Sequence, residues 1–302
     1  MSSRTKRARR AQLAVPATTD KLLAKAAQNP ADHVFLDLED AVAPTAKKQA
    51  REQVIRALNE LEWDNKVRCV RINDLSNPNC YQDIVEIVSR AGANLDTIMV
   101  PKVKVAADIH FVVTLLEQVE KQSQLNRKIG IEVIIEDVDA VHNAFEIARS
   151  SERVEALIFG AGDFAASMGI DMRAAERPGQ ADELWYFARY QMVMAARSVG
   201  IDAIDSPILD VRDVDAYTAD ARRGLAMGFT GKWAIHPLQV APAMEVFTPA
   251  REKVEFARRV VSAYAEAEAK GIGSILFEGQ MLDAAVVRNH RLLVEHAQRM
   301  GL

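Results

Sequence analysis

Eight short apolar runs recur along this chain, and each is followed by a longer segment whose apolar residues fall at helical spacing. The runs are residues 12–15, 34–38, 67–72, 97–100, 129–135, 156–160, 201–204 and 228–235. The helical segments between them include 45–61, 81–91, 106–122, 138–150, 182–199 and 213–227. In the clearest of these, Ala46, Ala50, Val54, Ala57, Leu58 and Leu61 form one stripe, with Pro44 just ahead of it. Strands that alternate with helices build a parallel sheet. Eight such units within residues 11–246 match an α/β fold of the (β/α)8 TIM-barrel type, which takes about 250 residues. An open doubly wound sheet is the alternative. Its usual G-x-G-x-x-G after the first strand is absent here, where Val15 leads into "PATTDK".

The chain divides on this reading into a basic N-terminal tail (1–10), the barrel (11–246) and a C-terminal extension (247–302). The extension reads as a long helix ending at Gly271, a hairpin "SILFEGQML" turning at Glu278-Gly279, and a last helix over 284–300. It is expected to pack on the barrel or on a neighbouring subunit. With 302 residues, 49% of them hydrophobic, the core is ample. A net charge of −4 does not favour nucleic acid. Arg4, Lys6, Arg7, Arg9 and Arg10 form a local basic cluster, expected to be solvated. Cys69 and Cys80 give neither a disulfide framework nor metal-ligand spacing. There is no membrane-length apolar run and no secretory h-region. The expectation is a soluble cytoplasmic protein with no membrane or nucleic-acid partner.

Catalytic residues of a barrel lie at the C-terminal ends of its strands. Strand two offers Asp37, Glu39 and Asp40 there. Strand three offers Arg71 and Asn73, strand four Lys102, and strand five Glu136 and Asp137. Strand six runs into Gly160, Gly162 and Asp163, strand seven gives Asp205, and strand eight gives Lys232 and His236. Glu136 and Asp163, from adjacent strands, face cations from strands three and four. Two carboxylates without cysteine point to Mg²⁺ rather than Zn²⁺. A bidentate 2-oxo acid would complete the oxygen set, with Arg71 forked onto its carboxylate. Each residue also has a plainer reading. Glu136 or Asp163 could cap the helix that follows. Lys102 could be a Schiff-base amine or, more simply, an ion-paired surface lysine. His236 could be a base or could hold the last loop. Glu132, on the same strand face as Glu136 but deeper, reads as a buried partner for a cation.

Six motifs in order carry a family resemblance: "LDLEDAVAP" (36–44), "VRIN" (70–73), "MVPKV" (99–103), "EVIIE" (132–136), "GAGDFAASMG" (160–169) and "GFTGKWAIHPLQV" (228–240). Together they resemble the citrate lyase β-subunit-like (HpcH/HpaI aldolase/citrate lyase) family. Within it the chain is most similar to the malyl-CoA and β-methylmalyl-CoA lyases. The resemblance implies a Mg²⁺ enzyme, with Mn²⁺ a substitute, that reversibly cleaves a 3-hydroxyacyl-CoA into acetyl-CoA or propionyl-CoA plus glyoxylate or pyruvate. It implies Glu136 and Asp163 as metal ligands and Arg71 on the oxo acid. It places Lys25, Gly162, Asp163, Ile235 and His236 along the bound substrate and CoA. It also implies a homotrimer or homohexamer in which Asp283 reaches a neighbour's site as the base. Asp283 could equally cap the last helix. A malyl-CoA thioesterase, a CoA-independent aldolase and a carrier-dependent citrate lyase β-type subunit are the rivals. Three features depart from the family. The first strand ends Leu13-Ala14-Val15-Pro16-Ala17 instead of L-F-x-P-G, Thr19 replaces a frequent arginine, and residues 170–185 form a shorter segment.

Overall fold

The computed structural model describes residues 4–171 and 181–302, so part of the short 170–185 segment lies outside the described residues. Eight parallel strands close into a barrel in sequence order, with the first pairing to the eighth. They are β1 (Ala11–Pro16), β2 (His33–Asp37), β3 (Val67–Arg71), β4 (Thr97–Val100), β5 (Gly130–Ile135), β6 (Val154–Phe159), β7 (Asp202–Asp205) and β8 (Gly231–Ala234). The helices between them are α1 (Asp20–Ala27), α2 (Lys47–Glu60), α3 (Asn79–Ala91), α4 (Ala106–Gln122), α5 (Val138–His142), α6 (Ala144–Arg149), α7 (Ala161–Met168), α8 (Ala181–Ser198) and α9 (Val214–Met227). No helix among the described residues is long and apolar enough to cross a membrane.

The barrel interior is layered. In the middle, Phe35, Cys69, Met99, Ile134, Ala156, Ile158, Ile204 and Trp233 form an apolar plug. Below it, at the strands' N-terminal ends, lies a charged floor. Glu132, wholly buried, accepts hydrogen bonds from Arg9 Nε (3.1 Å), Gln12 Nε2 (2.7 Å) and Thr97 Oγ1 (2.9 Å), and pairs with His33 Nε2 (2.9 Å). Burial alone would raise the Glu132 pKa, but His33 and Arg9 outweigh it and hold the carboxylate well below its ordinary range. The cation expected for Glu132 is therefore Arg9.

That pairing corrects the reading of the basic N-terminal residues as a solvated tail. Arg9 is 2% exposed and also meets Asp202 (3.1 Å) and Glu155. Arg7 reaches Glu155 (2.9 Å) and Asp96. Three carboxylates buried in the floor need a counter-charge, and the chain just ahead of β1 supplies it. A bulge between β5 and β6 pairs Ile131 with Val154 and Glu132 with Ala156, leaving Glu155 as the extra residue. Such bulges re-aim a side chain, and here the re-aimed one is an arginine acceptor. A second correction concerns 138–150, expected as one helix. It breaks at Asn143 (φ −91°, ψ 9°), whose side-chain amide donates to the Lys104 carbonyl (3.0 Å).

Contacts divide the chain into two compact units, Met1–Glu245 and Val246–Leu302. α10 (Val240–Phe247) runs across that division. In the second unit, α11 (Arg251–Glu268), the hairpin β9 (Ser274–Phe277) and β10 (Gln280–Asp283), and α12 (Ala284–Arg299) share a core of Val260, Tyr264, Leu282 and Val287. Glu278 and Gly279, both at positive φ (46° and 80°), make the two-residue turn, the arrangement whose twist suits a hairpin.

Candidate active site

The strands' C-terminal ends gather a second charged layer above the apolar plug. Arg71, the last residue of β3, lies over the rings of Phe35 and Trp233, 5.9 and 5.5 Å from their centroids. Asp37, at the end of β2, takes it in a two-pronged grip: Nε donates to Oδ1 (2.7 Å) and Nη2 to Oδ2 (2.6 Å). Nη1 pairs with Glu39 (2.9 Å). Burial works against the Arg71 charge, but Asp37 and Glu39 outweigh it and hold the guanidinium protonated beyond its usual range. Two of its five N–H groups are thus held by Asp37, and Nη1, though ion-paired to Glu39, keeps N–H groups that can turn to a ligand.

Glu136 follows β5 directly and is 4% exposed. Among the described residues, the hydrogen bond its carboxylate accepts comes from the Lys102 backbone N–H (2.7 Å to Oε1). Burial, with Asp163 and Glu39 nearby, pushes its pKa up to about 8 despite that bond and Arg71. Asp163 is exposed in the first turn of α7. Gly160 makes room for Glu136: a Cβ there would lie 2.6 Å from the glutamate's Cβ and 2.7 Å from Oε2. Burial also raises the pKa of Glu39. Five carboxylates (Asp37, Glu39, Asp40, Glu136 and Asp163) stand around two cations, Arg71 and Lys102, whose ion pairs among the described residues go to Asp37, Glu39 and Asp40. Two carboxylates from neighbouring strands, one buried and left short of positive charge, fit a hard oxygen-seeking cation such as Mg²⁺.

The plainer readings of both residues fail. Asp137, not Glu136, caps α5, accepting from Asp139 N (2.9 Å). The N-cap of α7 is Gly160, so Asp163 sits inside the helix. Lys102 is ion-paired to Glu39 (2.6 Å) and Asp40 (3.2 Å), which raises its pKa although burial opposes it. A Schiff-base amine needs the opposite shift. A different trio, His33, Cys69 and Glu132, has ligand atoms within 4.8 Å of one another in the floor. It is a poor cation site, because Glu132 already carries Arg9.

The remaining candidates scatter more widely. Ile235 packs on the apolar plug, and its N–H donates to Gln239 Oε1 (2.8 Å). His236 Nδ1 accepts from Leu238 N (3.2 Å), so it does hold the last loop, as an N-cap. Gly162 borders open space. Lys25 is exposed in the last turn of α1. Asp283, in the second unit, caps α12 by accepting from Val286 N (2.9 Å) and is exposed. Sequence reasoning named Asp37 and Glu39 but gave them no work. Their two-residue spacing at a strand end, opposite an arginine one strand over, was the available signal.

Comparison with known proteins bears on this arrangement. The HpcH/HpaI aldolase/citrate lyase family matches residues 10–237. The L-malyl-CoA/beta-methylmalyl-CoA lyase of Cereibacter sphaeroides is 40% identical, over 98% of this chain and 96% of its own length. The malyl-CoA/beta-methylmalyl-CoA/citramalyl-CoA lyase of Chloroflexus aurantiacus is 32% identical, over 88% and 80%. Among solved structures, protein CitE of Mycobacterium tuberculosis, in complex with magnesium, acetoacetate and coenzyme A, aligns with a TM-score of 0.72. It is 30% identical, over 96% of this chain and 98% of that one.

Proposed function

Because the chain belongs to the HpcH/HpaI aldolase/citrate lyase family, we propose that it is a Mg²⁺-dependent carbon–carbon lyase acting on CoA thioesters. Its substrate class is the 3-hydroxyacyl-CoAs: malyl-CoA, β-methylmalyl-CoA or citramalyl-CoA. The products are acetyl-CoA or propionyl-CoA and glyoxylate or pyruvate. The observation that carries the reading is Glu136, a carboxylate 4% exposed beside Asp163, whose pKa burial and the neighbouring Asp163 and Glu39 push up to about 8.

In this reading Glu136 and Asp163 hold the metal. Bound there, Mg²⁺ supplies Lewis-acid polarisation of the oxo-acid carbonyl. Arg71 meets the acid's carboxylate with N–H groups that Asp37 does not hold, and Asp37 fixes the plane of the fork. Gly162 leaves space beside Asp163, while Ile235, His236 and Lys25 flank the CoA portion. The hard proton is the one α to the thioester. Asp283 of a neighbouring copy takes it in the condensing direction and returns it in cleavage. Its exposed position at the head of α12 supports that role. This requires an oligomer, and the homotrimer or homohexamer that the family resemblance implies is the assembly we infer.

The test is to incubate the pure protein with Mg²⁺, acetyl-CoA or propionyl-CoA, and glyoxylate or pyruvate, and to identify the product by mass. A CoA adduct of the 3-hydroxyacyl class, abolished in Asp163→Ala, supports the lyase. Free malate with CoA would instead identify a thioesterase. No turnover of any free thioester would overturn the reading in favour of a carrier-bound substrate.

A further inference from the structure

Lys102 has an uncommon backbone. Its φ is +53°, in the left-handed region that a residue with a Cβ seldom adopts. The other non-glycine residues at positive φ among those described are Asp64, Gln124 and Glu278, none of them at this site. Left-handed residues with a side chain persist where their surroundings over-determine them. At Lys102 the surroundings are specific. Its ammonium is tied to Glu39 (2.6 Å) and Asp40 (3.2 Å), which both follow β2. Its backbone N–H, turned by that conformation, lies 2.7 Å from Glu136 Oε1. On the other side of the carboxylate, Oε2 lies over Gly160, where a Cβ would come within 2.7 Å. Glu136 is therefore held through one oxygen by a main-chain donor, while the strand β6 side leaves room for the other.

We propose that Lys102 is a positioning residue for the metal centre. Its ammonium, anchored by Glu39 and Asp40, holds its own backbone left-handed so that the N–H fixes Glu136 for ligation. The side chain works through the main chain, not through its charge at the metal. This rests on the reading of Glu136 and Asp163 as metal ligands.

The experiment measures Mn²⁺ binding by titration calorimetry to the full-length wild type and to Lys102→Ala, Lys102→Gly and Asp163→Ala, with thermal midpoints recorded alongside. Glycine adopts φ +53° freely, so Lys102→Gly keeps the N–H in place and should bind Mn²⁺ within about threefold of wild type. Alanine, with a Cβ and no anchor, relaxes and withdraws the donor, so Lys102→Ala should bind at least about tenfold more weakly. If Lys102→Ala does not fold, Lys102→Met, of similar length but uncharged, carries the same expectation. A purely electrostatic lysine gives a different pattern: removing a cation tightens Mn²⁺ binding equally in both variants. Equal affinities for Lys102→Ala and Lys102→Gly, in either direction, overturn the inference while leaving the metal site standing. Undiminished binding in Asp163→Ala removes the metal-site reading, and the inference with it.

Discussion

If Glu136 ligates the metal as proposed, binding there should be sensitive to protons. With its pKa pushed up to about 8, ligation at neutral pH has to displace a proton. Apparent Mg²⁺ affinity should fall about tenfold per unit as the pH drops from 8 to 6. Calorimetry across that range checks it, and a flat profile would mean an ordinary, already ionised carboxylate. The metal-free fold should have the reverse dependence. The raised pKa contributes stability in full below the ordinary value of 4.5, and this is lost as the pH rises toward about 8. Added Mg²⁺ should therefore raise the thermal midpoint more at pH 8 than at pH 6. Gly160 gives a second handle on the same carboxylate. Gly160→Ala puts a Cβ 2.6 Å from that of Glu136. The displacement should weaken Mn²⁺ binding by roughly 10–100-fold, while circular dichroism stays that of the wild type.

At the scale of elements, the segment ahead of β1 is part of the barrel. Replacing Arg9 by Met strips the counter-charge from Glu132, Glu155 and Asp202. Breaking a buried pair this way should cost about 3–5 kcal/mol in urea unfolding, whereas a solvated arginine would cost under about 0.5 kcal/mol. Why this was hidden in the sequence is instructive. The eight strands were readable because a barrel strand is buried on both faces and so appears as an unbroken apolar run. Glu136 stood out as a candidate because a carboxylate closing such a run has few structural reasons to be there, and Asp163 because it follows Gly160 and Gly162 just past the next run. Arg9 looked like tail because its partners lie in β5, β6 and β7, and a run of charges says nothing of distant acceptors. The break at Asn143 depends on a bond to the Lys104 carbonyl, and helical spacing continues across it. α1, with eight residues, is too short for its pattern to stand out. The contribution of Lys102 to Glu136 passes through a backbone N–H, which every residue but proline carries, so residue type alone could not reveal it.

At the scale of the whole molecule, the proposed sharing of Asp283 between copies predicts complementation. Asp163→Ala and Asp283→Ala should each be inactive alone. Mixed, after dissociation and reassociation, they should recover about a quarter of wild-type activity, since one site can draw its ligands from one variant and its base from the other. Failure of the mixture to recover anything would confine the base to its own chain. The charged floor has a further consequence, for the order of events during synthesis. Arg9 emerges from the ribosome 193 positions ahead of Asp202. At about 5–20 residues per second, that is a wait of roughly 10–40 s. Through that interval the floor carboxylates of β5 and β6 can already be present, yet the last of Arg9's acceptors is not. The latch of the barrel is thus made well before its last acceptor, so a nascent chain stalled before β7 should still expose Arg7 and Arg9 to a protease.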